Sequence, residues 1–82
     1  MMKVGDRVIY TSGTFGSNRA NPLKGTSYFC EGIIYNIKDT GLTHQVKWDN
    51  GKFNSYSESD LELVLFDIMS IDNEFDDLLE SI

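Results

Sequence analysis

Catalysis needs a nucleophile beside a base, paired carboxylates in a cleft, or a metal site, and these 82 residues hold few candidates for any of them. Cys30 and His44 are the only thiol and imidazole. They fall on adjacent expected strands, but no third group to orient the imidazole and no oxyanion-type glycine motif accompanies them. Cys30 therefore reads as a small core residue, and His44, on the same strand face as Val46, as a satisfied, half-buried imidazole. One Cys and one His make neither a disulfide nor a four-ligand zinc site. Asp72, Glu74, Asp76, Asp77 and Glu80 supply hard oxygen ligands without the glycine turn and spacing of a calcium loop. Gly13-Thr14-Phe15-Gly16 and Lys24-Gly25-Thr26 only faintly resemble a phosphate cradle, because no G-x-x-x-x-G-K-S/T run exists and the segment opens no helix. The expectation is a protein that is not an enzyme and uses no metal or cofactor.

Binding chemistry is better represented. The formal net charge of −6 combines two unlike segments. Residues 1–52 hold all seven basic residues against four acidic ones, a net +3, whereas residues 53–82 hold nine acidic residues and no basic one, a net −9. An acidic total argues against a simple phosphate-backbone binder, whose affinity comes from cations displacing condensed counterions. The acidic tail is either a solvating face or a surface that meets a basic partner, including this chain's own basic half. Arg19 and Lys24, in the long first loop, are the cations placed to contact phosphates or acidic side chains.

Aromatic residues add a second signal. Tyr10, Phe15, Tyr28, Phe29, Tyr35, Trp48, Phe53, Tyr56 and Phe66 are too many for so small a core to enclose, so some must lie on the surface or cover another element. Tyr10, Phe15, Trp48 and Tyr56 are the groove candidates near the long loop and the hairpin. For Trp48, a core or edge position is weighed above ligand contact.

The elements that must position these residues follow from periodicity. Residues 7–10 alternate after a tight bend and read as the first strand. Residues 11–26 are rich in Ser, Thr, Gly and Asn and contain Pro22; they exceed an ordinary connection and suggest a functional or mobile loop. Residues 28–37 read as a long, bent second strand, with Gly32 marking a bulge, a bend or a close backbone approach. Leu42, His44, Val46 and Trp48 form the inner face of a third strand, and Asn50-Gly51 suits a type I′ hairpin turn into a return strand over 52–56. Asp49 or Asn54 is placed to bond free turn amides. Residues 57–60 make a turn or a single 3₁₀ turn before a last strand over 61–65. From residue 67 the period becomes helical: Ile71, Phe75, Leu78, Leu79 and Ile82 form one stripe of a short acidic helix, which needs a surface to cover. The expected fold is mainly β, a five-stranded barrel over residues 1–66 followed by a helix over residues 67–82.

Val46-Lys47-Trp48-Asp49-Asn50-Gly51-Lys52-Phe53-Asn54-Ser55-Tyr56, followed by Asp60-Leu61, carries the pattern V-x-W-D-x-G-x-x-N-x-Y and then Asp-Leu. It resembles the repeat of mind-bomb and HERC-type ubiquitin ligases, and Val4-Gly5-Asp6-Arg7-Val8 looks like the opening of many KOW, Tudor and related domains. The resemblance covers about residues 4–65 and implies an SH3-like barrel. It implies no particular partner, since such barrels serve peptide, protein, methyl-lysine and nucleic-acid ligands alike.

Three functions are expected, in this order. The first is a non-enzymatic protein- or peptide-binding adaptor using the groove of Tyr10, Phe15, Arg19, Lys24, Trp48 and Tyr56, with Phe75, Asp76, Asp77, Leu78 and Leu79 of the tail as a second contact. Next comes a small acidic regulator or inhibitor of a nucleic-acid enzyme, of the viral or mobile-element kind, that docks through the tail helix. Nucleic-acid binding by the basic half, gated by the tail, ranks third. No apolar run is long enough for a membrane span and the first residues lack a secretory signal. The chain is thus expected to be cytoplasmic, without a membrane contact, and a monomer or weak homodimer.

Overall fold

The computed structural model describes residues 1–64; the expected helix and the tail residues Phe75, Asp76, Asp77, Leu78 and Leu79 lie outside them. Alternation in the sequence becomes alternation in burial. In β1 (Arg7–Tyr10) Val8 and Tyr10 point into the core, and in β3 (His44–Trp48) His44, Val46 and Trp48 do the same. With β2 (Gly32–Ile37), β4 (Phe53–Tyr56) and β5 (Leu61–Leu63) they form one antiparallel sheet in the order β4-β3-β2-β1-β5. The sheet is open, with β4 and β5 as its edge strands among the described residues. The core gathers Met2, Val8, Tyr10, Ile34, Val46, Trp48, Tyr56 and Leu61 on one side of it.

Several boundaries differ from expectation. β2 begins at Gly32 rather than residue 28, and the extra residue is not Gly32: pairing slips between Ile34 and Asn36, which leaves Tyr35 as the bulge. Gly32 instead realises the close approach. A Cβ built there would meet Trp48 Cε3 at 2.5 Å, Val46 Cγ1 at 2.7 Å and the Lys47 carbonyl oxygen at 2.8 Å. The indole of Trp48 packs directly over this bare backbone.

The turn after β3 has one residue more than a two-residue type I′ loop. Gly51 N donates to Trp48 O at 2.9 Å while Trp48 N donates to Lys52 O at 2.8 Å, and Gly51 holds φ at 90°. Those bonds define a three-residue loop with glycine in the left-handed bulge position. Asn50, rather than Asp49 or Asn54, bonds the free turn amide, its Oδ1 accepting from Lys52 N at 2.9 Å.

A 3₁₀ turn, Glu58–Asp60, follows β4 and leads straight into β5, which ends at Leu63, short of residue 65. The turn buries Asp60, leaving it 6% exposed. Gly32→Ala is expected to cost at least ~2 kcal/mol, as an overpacked core does, because the Lys47 backbone cannot yield as a side-chain tip can. Chemical denaturation of the two proteins checks this.

Candidate binding cleft

Residues 11–31 are the longest connection in the described chain, and their placement follows from polar groups that the core cannot leave unpaired. Trp48 Nε1 donates to the Tyr56 hydroxyl at 3.2 Å. That hydroxyl lies 2.8 Å from both Ala20 O and Asn21 Oδ1, within reach to donate to either. Asn54 Nδ2 donates to the same two oxygens, at 3.1 and 2.8 Å. Burial pushes the Tyr56 phenol up to about 12, above the reach of neutral pH, so the hydroxyl keeps its proton. Nearer β1, Tyr10 Oη donates to Gly16 O and accepts from Phe15 N, both at 2.9 Å. The loop expected to be functional or mobile is tied down at two buried tyrosines.

A tight internal turn forms at the tip of this connection. Asn18 and Asn21 exchange both backbone bonds at 3.0 Å, leaving Arg19 and Ala20 as the turn residues. Asn50 Nδ2, from the hairpin opposite, donates to Arg19 O at 2.8 Å. The loop tip and the β3–β4 hairpin are thereby held side by side, and between them lies a cleft of about 290 Å³ lined by Arg19, Ser27, Tyr28, Asn50 and Lys52. Among the described residues no carboxylate lines it. Arg19 and Lys52 form no ion pair among the described residues, where the pairs are Lys3–Asp6, Arg7–Glu31, Arg7–Asp49 and His44–Glu58.

The six groove residues expected from sequence separate in space. Tyr10 and Tyr56 are 0% exposed and Trp48 is 1% exposed, so these three are core residues and offer no ligand surface. Their hydroxyl and indole groups serve the loop; their rings pack together, with centroids 5.2 Å apart for Tyr10–Tyr56 and 5.7 Å for Trp48–Tyr56. Phe15 is partly exposed and lies 6.0 Å from the Tyr56 ring, covering it. Arg19 lines the cleft. Lys24 lies apart from it, on a more apolar groove of about 370 Å³ that includes Ile9, Phe29, Leu63 and Val64.

Ser27, Tyr28, Asn50 and Lys52 were not expected at the site. The surplus of aromatics did signal Tyr28, which is exposed with Phe29, Tyr35 and Phe53. Tyr35 and Phe53 meet edge to face at 5.4 Å on the outer face of the sheet.

Cys30 packs at the rim of the core, while the His44 ring has other neighbours: Thr43 Oγ1 lies 2.7 Å from Nδ1 and the Glu58 carboxylate 3.8 Å from Nε2. Among the described residues no three of His, Cys, Asp and Glu cluster as metal ligands, and no helix is long and apolar enough to cross a membrane. Comparison of the chain with protein-family models, with curated proteins and with solved structures gives no match.

Asp60 closes the far end of the loop. Burial alone would raise its pKa, but donation from Ser12 Oγ at 2.7 Å, Thr14 Oγ1 at 2.9 Å and Ser57 N at 3.1 Å outweighs burial and holds the carboxyl below its ordinary 3.8. A depressed folded-state pKa stabilises the protein above the unfolded value, and this contribution fades as pH falls through the folded one. Asp60→Asn is therefore expected to cost ~1–3 kcal/mol at neutral pH, with the gap to the parent protein closing below pH 3.8; denaturation at a series of pH values measures it. Tyr56→Phe is expected to cost a similar ~1–3 kcal/mol, because it strands the buried indole N–H. Amide exchange at Asn21 and Leu23 should rise more than exchange in β1.

Proposed function

We propose that this chain is a non-enzymatic module that binds a protein or peptide, built as a small SH3-like barrel. Five short strands, a long first connection and a last strand returned beside β1 support the barrel reading. The observation that carries the binding reading is the cleft between loop tip and hairpin, with an exposed tyrosine and two cations, Arg19 and Lys52, on backbone already fixed by Asn50, Asn54 and Tyr56. A ligand entering such a site orders little of the protein, so more of the contact energy appears as affinity. Arg19 from the loop tip, Lys52 from the hairpin and the exposed Tyr28 suit an extended segment that offers acidic and apolar groups by turns.

This reading replaces the groove of Tyr10, Trp48 and Tyr56 with the surface those residues support from behind. The tail segment proposed as a second contact lies outside the described residues and carries no part of it. Selection of the full-length protein against a random-peptide phage library is expected to enrich a consensus containing acidic residues. Substitution of Arg19→Ala with Lys52→Ala should weaken the enriched peptide by more than about tenfold, the loss of at least one charge-assisted contact. Equal binding of the enriched peptide by the double variant would remove the cleft from consideration.

A further inference from the structure

Resting on that reading, we infer that the cleft recognises a phosphate monoester carried by a peptide. Its donors come from four residue types: the Arg19 guanidinium, the Lys52 ammonium, the Ser27 hydroxyl and the Tyr28 phenol. Two of its oxygens are already engaged, since the Asn50 side-chain oxygen receives Lys52 N and the Arg19 carbonyl receives the Asn50 amide, and the Ser27 and Tyr28 hydroxyls can each turn a proton toward an anion. A site rich in donors and, among the described residues, without a carboxylate favours a ligand rich in acceptors. Two cations with no ion-pair partner among the described residues match the charge of one phosphate monoester, about −1.5 to −2 at neutral pH. A guanidinium can meet two phosphate oxygens at once, while the ammonium acts as a point charge beside it.

Peptide is favoured over nucleic acid by the charge around the cleft. Residues 1–64 carry seven basic and seven acidic side chains, and Lys3 and Arg7 are already paired with carboxylates. A polyanion needs a track of cations along its backbone, whereas among the described residues the cations of the lining are two, Arg19 and Lys52. The exposed Tyr28 ring supplies an apolar wall for the residue that bears the phosphate.

The test is a titration of the isotope-labelled, full-length protein, followed by its amide resonances, with one peptide in four forms: phosphotyrosine, phosphoserine, glutamate or unmodified tyrosine at the central position. A mononucleotide is titrated in parallel. The expected result is saturable shifts at Arg19, Ser27, Tyr28 and Lys52 with a phosphopeptide, at least about tenfold weaker binding of the glutamate form, and loss of the response in R19Q/K52Q. The rest of the R19Q/K52Q spectrum should be unchanged, which shows that the variant is folded. No localised shift with either phosphopeptide, equal affinity for glutamate, shifts elsewhere on the sheet, or tighter binding of the mononucleotide would each overturn the inference. A phage library carries no phosphate. A consensus selected there through Arg19 and Lys52, without a phosphopeptide response, would sink the phosphate and leave the peptide-binding module standing; failure of both would remove both.

Discussion

The Tyr56 hydroxyl is the group on which the rest of the structure turns. It sits in the core, where an unpaired polar atom costs ~1–3 kcal/mol, and it accepts from the Trp48 indole on one side and donates to the oxygen of Ala20 or Asn21 on the other. A buried ring at the end of β4 thereby fixes the position of a loop more than thirty residues earlier in the chain. With Asn54 repeating the same bonds from the neighbouring position, the contact is redundant and directional. Apolar packing alone would leave the loop free to slide over the hairpin.

The strands were legible in the sequence because their cause is local. Alternation in β1 and β3 set which side chains face inward, and Asn50-Gly51 marked the hairpin, although the loop type depended on one additional residue that the dipeptide does not encode. The site was less legible. Trp48 and Tyr56 carry the same signature whether an aromatic lines a groove or braces one, and the sheet decided for bracing by placing a bare Gly32 backbone under the indole. Lys52 and Tyr28, more than twenty residues apart, line one cleft only once the loop tip docks on the hairpin. No spacing rule reports such a juxtaposition. Arg19 was found because a cation in a long polar loop is visible by type alone.

Charge is distributed by the same economy of partners. Arg7 donates to both carboxylate oxygens of Asp49, at 3.0 and 2.7 Å, and to Glu31 at 3.1 Å, and these bonds raise its pKa further, despite partial burial. Because the three side chains are substantially exposed, the cluster adds little stability by itself. Its effect is on placement. Asp49 belongs to the turn that also carries Asn50 and Lys52, so its carboxylate is anchored close in the chain to two residues of the cleft. Bidentate geometry directs that carboxylate toward β1, and Asp49 N, donating to Glu31 O at 2.8 Å, holds the backbone in the same orientation. Among the described residues, Arg19 and Lys52 are left to face the cleft without a carboxylate in its lining, so an anion that enters meets cations it does not first have to separate from a carboxylate of the sheet or its loops.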